Sequence, residues 1–288
     1  MKRSGPFATV VALLIAGATA AAPARPQRVM SLNLCTDQIL LQLLPPERIA
    51  SVTYLSRGPD TGWPAVDASR VPVNYGTSEE VLAQKPDLVV AGTTSTLATR
   101  ALLKKVGIPL LELPAAESFD DIRKLTRTIG HAVGEEDKAE SVLQRMDATL
   151  AELRDAAPAK PITVVAWDGG GNVPGPCTLF DAILTAAGAV NVATRLNQDT
   201  LYGNYSSFDL EQLVALNPEL VIFGGSGNGR PDQVHQQVQH RVVRKLFAGR
   251  QITYNETLFR CGLPQSADAA KQLRQSMQRT LAAAEKSR

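Results

Sequence analysis

The residues able to do chemistry in this chain are few, and their types point to recognition more than to catalysis. Two glutamates stand out by spacing. Glu79 to Gly92 reads EEVLAQKPDLVVAG and Glu211 to Gly224 reads EQLVALNPELVIFG, an internal duplication at a constant offset of 132 positions. Each copy predicts a short helix, a proline stop and a buried strand ending at glycine. Thr77 and Asp209 stand two positions before the glutamates as N-caps, and Glu80 and Gln212 fall at the capping-box place. Glu79 and Glu211 therefore sit in the first turns of matching helices and point outward. Taken singly, each would do no more than complement a helix dipole, by roughly 0.3 to 1 kcal/mol.

Catalytic groups are scarce. The histidines are His131, at the end of a helix, and His235 and His240, five apart and so about 140° around a helix, sharing no face for a metal. No G-x-S-x-G elbow occurs. Cys177 opens a helix capped by Thr178 and Asp181, a setting in which a thiol can act as nucleophile. A secreted thiol enzyme using Cys177 or Cys35 is thus the alternative reading, but it needs a basic partner that three histidines do not supply. With Cys261, the cysteines number three. In an oxidising compartment that implies one disulfide and one thiol, and Cys177 and Cys261 are expected to lie near each other in strand-end loops of one lobe.

The aromatic residues collect in the segments that follow strands or precede the duplicated helices: Tyr54, Trp63, Tyr75, Trp167, Tyr202, Tyr205 and Phe259, joined by Arg57, Arg230 and Arg260. Such a grouping predicts an aromatic, partly basic cleft. The glycine-rich stretches 168–172 and 224–229 run into prolines instead of a helix N-terminus, so they are cleft loops and not phosphate cradles.

The elements that position these groups follow from periodicity. Continuous apolar strands (Val29 to Asn33, Ile49 to Thr53, Leu88 to Ala91, Pro109 to Leu113) alternate with helices at Thr36 to Leu44, Ser78 to Gln84 and Thr96 to Val106. After Pro158 the pattern restarts with strands Ile162 to Ala166, Leu220 to Phe223 and Gln251 to Tyr254. Helices Thr178 to Ala187, Leu210 to Leu216 and Gln233 to Phe247 accompany them, and a last helix runs from Ser266 to Ala284. The predicted class is α/β: two lobes, each a parallel sheet flanked by helices. Between them Glu135 to Ala156 holds unbroken helical spacing, roughly 33 Å of helix, long enough to bridge both lobes stiffly without a hinge for large closure. The divisions are residues 1–20, a signal peptide; 21–134, the first lobe; 135–157, the bridging helix; and 158–288, the second lobe.

Lys2 and Arg3, the apolar run Phe7 to Ala16 and Ala18-Thr19-Ala20 make up a secretory signal, with cleavage expected after Ala20. Its removal takes the chain from 30 basic and 28 acidic residues to 28 of each. A neutral mature chain argues against a nucleic-acid partner. The mature protein is expected to be a soluble periplasmic monomer.

RVMSLNLCTDQILLQL at the start, the two duplicated segments, the bridging helix and the CGLP loop resemble the periplasmic binding proteins for iron chelates and cobalamin, over essentially the whole mature chain. The resemblance implies two lobes on one rigid helix, no catalytic step and no cofactor. Its cargo, a corrinoid, a ferric siderophore or haem, would lie between the lobes and pass to the permease dimer of an ABC transporter. It also implies that Glu79 and Glu211 dock on permease arginines. Aromatic contacts of the cobalamin-binding member fall on Tyr54, Tyr75, Tyr205 and Phe259, with Trp63 and Trp167 in the same cleft loops. Gly92-Thr93-Thr94 and the Pro174-Gly175-Pro176 stretch depart from that member. Arg57, Arg230 and Arg260 would meet anionic groups of a siderophore or of haem propionates. The histidine and carboxylate clusters of relatives that bind a bare metal ion are not found.

Overall fold

The computed structural model describes residues 25–58, 68–167, 172–192, 205–207, 210–225 and 241–286. The signal segment, Trp63, Tyr202, Asp209, Arg230, His235 and His240 lie outside them, as do the side chains of Trp167 and Tyr205.

The first lobe is a five-stranded parallel sheet in the order β3-β2-β1-β4-β5, formed by β1 (Val29–Ser31), β2 (Ile49–Thr53), β3 (Val73–Asn74), β4 (Leu88–Gly92) and β5 (Leu110–Leu113). Helices α1 (Leu34–Leu43), α2 (Ser78–Gln84), α3 (Leu97–Val106) and α4 (Phe119–Val133) cover it. Every residue of β1 and β4 is buried, which is why these strands read as unbroken apolar runs instead of alternating ones. β1 ends two residues earlier than the sequence reading placed it, because Asn33 is the cap of α1: its side chain accepts the Cys35 and Thr36 N–H groups.

α5, Glu136–Asp155, is the predicted bridge, about 30 Å long. An arginine fixes each end, Arg48 partly buried and Arg274 buried. Arg48 contacts Glu135 at 2.5 Å and donates to the carbonyls of Val133 and Pro26, at the junction of α4 and α5. At the far end Arg274 donates to the carbonyls of Leu153 and Ala156 in the last turn of α5, and to Ala186 and Ala187 behind α6, Leu179–Ala186. Burial pushes the Arg274 guanidinium below its ordinary pKa, and the four carbonyls surround it.

The second lobe is a four-stranded parallel sheet, ordered Gln251–Asn255, Leu220–Gly225, β6 (Ile162–Trp167), Ala189–Asn191, with a separate antiparallel ribbon joining Asn172–Pro174 to Tyr205–Ser207. The duplication is structural. Helix α2 and strand β4 recur 132 residues later as Leu210–Leu216 and Leu220–Gly225. Both copies break the helix at a left-handed residue, Lys85 (φ 48°) and Asn217 (φ 40°). The acid before each strand also repeats: Asp87 accepts the N–H of Gln27 and Arg28 at the start of β1, and Glu219 accepts the N–H of Thr163 at the start of β6.

The lobes share one apolar core, running from Val29 and Leu40 through Ile122 and Met146 to Ile222 and Met277. The last helix, Ser266–Lys286, packs on α5 and α6. No helix among the described residues is long and apolar enough to cross a membrane.

Candidate ligand-binding cleft

In an open parallel sheet, ligands collect beyond the carboxyl ends of the strands. In the first lobe those ends lie side by side in sheet order: Tyr75 after β3, Tyr54 after β2, Asn33 after β1, Gly92 to Thr94 closing β4, and Pro114 to Ala116 after β5. At one end of this rim Tyr54 and Tyr75 stack, ring centroids 4.9 Å apart and planes 23° from parallel. They are 49% and 69% exposed, so the pair is a wet aromatic wall and not core.

At the other end a cavity of about 80 Å³ is lined by Asn33, Cys35, Thr36, Gly92, Thr94, Pro114 to Ala116 and, from the second lobe, Arg260 and Gly262. Small-molecule sites hold some 300 to 1,000 Å³, so this is the floor of a cleft and not a seat for a whole chelate. The lobes touch here: a Cβ on Gly262 would fall 2.5 Å from the Ala116 Cβ, so only glycine admits the contact. Thr94 is held by Arg100, which donates to the carbonyls of Thr93 and Ser95 and pairs with Glu112; Lys104 and Arg100 together keep that carboxylate below its ordinary range.

The cysteine pairing differs from the sequence expectation. Cys35 in α1 is bonded to Cys261, with Cα atoms 5.2 Å apart, and the disulfide crosses from one lobe to the other at the cleft floor. Cys177 stands outside it, exposed, on a left-handed turn (φ 61°) before α6. Strand-end position alone put Cys177 and Cys261 together; the close approach of the lobes brings Cys35 nearer. The disulfide also removes Cys35 as a nucleophile.

Other site residues divide. Arg260 reaches the cavity. Arg57 spends its guanidinium on the carbonyls of Ala68, Ser69 and Val71, bracing the first lobe. Phe259, half-buried, packs its ring on Phe180 and Tyr254, at 5.2 and 4.7 Å. Glu79 and Glu211 are both exposed in first helical turns, and the Thr77–Glu80 capping box is present in full. Among the described residues no cluster of three or more His, Cys, Asp or Glu could hold a metal ion.

A family model described as periplasmic binding protein matches residues 29–251, more than three quarters of the chain. The chain belongs to this family. Within the periplasmic binding proteins, it is 29% identical over 207 residues to a cobalamin-binding protein of Halobacterium salinarum, across 70% of this chain and 55% of that one. It is 25% identical to an uncharacterized ABC transporter substrate-binding lipoprotein of Bacillus subtilis, covering 68% and 63%. The chain thus spans little more than half the length of the curated relatives it matches. The fold agrees with that of the periplasmic heme-binding protein RhuT of Roseiflexus (TM-score 0.70, 20% identity, 88% of this chain and 99% of that one).

Sequence reasoning missed Asn33, Asp37, Asn74 and Arg100, which shape the rim without being aromatic or obviously basic cleft residues. A signal existed for Asp37. It lies three residues before Leu40 and seven before Leu44, on the buried stripe of α1, where an acid is out of place.

Proposed function

We propose that this protein is the extracytoplasmic capture component of an ABC importer, holding a metal chelate between its lobes and releasing it to a permease dimer. One observation carries the reading: two large aromatic rings stacked yet solvent-exposed at strand ends, on the rim that leads to the inter-lobe cavity. Aromatic walls suit large conjugated ligands, whose faces stack on them. A corrinoid or ferric siderophore is the favoured cargo, and the cobalamin-binding relative supports the first. Haem is the second reading, favoured by the Arg260 cation at the cavity, which suits propionates. Trp63, Trp167, Tyr205 and Arg230 are proposed as further ligand contacts on the strength of the sequence alone. The protein performs no catalytic step, works as a monomer and has no nucleic-acid partner. It reaches the periplasm through the signal segment, cut after Ala20.

Glu79 and Glu211 supply one exposed carboxylate per lobe, held apart by the fixed helix α5, the placement that a two-subunit permease needs. The test joins two measurements. Protein purified from its native periplasm should carry a visible chromophore that tells corrinoid, haem and ferric siderophore apart. Glu79→Arg with Glu211→Arg should abolish uptake while leaving cargo affinity and thermal stability unchanged. A colourless protein that binds none of cyanocobalamin, hemin or ferrichrome rejects the cargo reading, and uptake at the wild-type rate rejects the docking.

A further inference from the structure

The support of the aromatic wall can be traced atom by atom, and it leads away from the cleft. Asp37, wholly buried in α1, accepts three hydrogen bonds on Oδ2: from the Thr53 N–H (3.0 Å), the Thr53 hydroxyl (2.5 Å) and the Ser56 hydroxyl (2.7 Å). These donors flank Tyr54 on both sides, so one oxygen grips the 3-10 turn Tyr54–Arg57. Oδ1 is buried without a partner. On the Tyr75 side, buried Asn74 donates to the Ser31 carbonyl and the Ser51 hydroxyl and accepts the Gly76 N–H, while Glu80 accepts the Tyr75 N–H. Tyr75 is therefore anchored through Asn74 and Glu80, with no direct bond to Asp37. Where Tyr54 stands against it depends on the Asp37 clamp.

We propose that Asp37 is a positioning residue for ligand capture: it sets the stance of Tyr54 against Tyr75, and with it the wall's fit to the chelate, without touching that ligand. This rests on the reading of the two tyrosines as ligand contacts. A carboxylate is the stronger acceptor for three donors at one oxygen, and its grip weakens when it is protonated. Burial pushes its pKa from 3.8 up to about 6, against the opposing pull of the hydroxyls around it. Among the described residues little else charged faces it. Strands β1, β2 and β4 hold no charged residue, Arg57 on the turn is spent on backbone carbonyls, and on α4 Asp120, Arg123, Arg127 and His131 pair among themselves and with α5.

The experiment uses the full mature chain with Asp37→Ala, Asp37→Asn and Ser56→Ala. Its readouts are amide exchange over 53–58, the near-ultraviolet dichroism of tyrosine from pH 5 to 7.5, and titration with whichever of hemin, cyanocobalamin and ferrichrome the wild type binds. In the wild type the tyrosine band should change with a midpoint near 6, and in Asp37→Asn it should not titrate. Exchange at Thr53 should speed up about tenfold in Asp37→Ala and recover to within about threefold in Asp37→Asn, which keeps an acceptor. A folded Asp37→Ala with unchanged band and exchange overturns the clamp. Should Asp37→Ala not fold, Ser56→Ala removes one donor to the ionised form and must move the midpoint upward; an unmoved midpoint overturns the clamp equally. If band and exchange respond but affinity for the bound probe stays at the wild-type value, the clamp stands and the assignment of the tyrosines to the cleft falls.

Discussion

Asp37 shows how one side chain can be costly to the fold and useful to a surface. Its folded pKa of about 6 exceeds the ordinary 3.8, so between those values the folded state holds the proton and the unfolded state does not. The sign follows from linkage: the stabilisation is fully present below about pH 3.8 and is lost as pH rises through about 6. At neutral pH the buried charge costs on the order of 3 kcal/mol relative to acid conditions. Asp37→Asn, with no charge to bury, should therefore gain stability relative to the wild type as pH rises from 5 to 7.5. Paired denaturation curves at the two pH values check this, and a constant difference between the proteins would reject the assignment.

Among the elements, α5 joins the two lobes; its middle is buried against α4 and the last helix, and an arginine ties each end. Arg274 places a cation against carbonyls that a helix C-terminus leaves without intrahelical partners, tying α5 to α6 through one planar group. Hydrogen bonds to a charged donor contribute about 1.5 to 3 kcal/mol, and four carbonyls lose theirs together. Arg274→Met is expected to destabilise by about 3 kcal/mol, and Arg274→Lys to recover less than half, because an ammonium cannot span four carbonyls in a fixed plane. Chemical denaturation monitored by circular dichroism measures both. A methionine variant within about 1 kcal/mol of wild type would show that packing alone holds the junction.

For the whole molecule, the Cys35–Cys261 bond is a second link between lobes that α5 already joins, closing 226 residues of chain. Crosslinks of long loops remove the most freedom from the unfolded chain, and losing one costs typically 2 to 5 kcal/mol. Cys35→Ser should lower stability by that amount with little change in secondary structure. The thiol count tests the pairing itself: the denatured mature chain should react as one thiol before reduction and three after it. Modification of Cys261 without prior reduction would contradict the bond. With lobes joined at the cleft floor and along α5, little closure is expected, and scattering profiles with and without the proposed cargo should superpose.

Local pattern was enough for what repeats and for the long bridge, though it passed over α4, Phe119–Val133. The duplication foretold matching helices and strands at the right offset, the Thr77 cap foretold its box, and the spacing in 135–156 foretold α5 to within a residue at each end, because short-range hydrogen bonding and periodic burial decide such features. Phe259 and Arg57 read as cleft residues on the same local grounds, yet one packs on Phe180 and Tyr254 and the other binds three carbonyls. Which cysteine meets Cys261, which tyrosine stacks on Tyr54 and which acid grips its turn are contacts across 226, 21 and 16 residues. They depend on how two sheets and their covering helices come to rest against one another, and no local pattern in the chain encodes that distance.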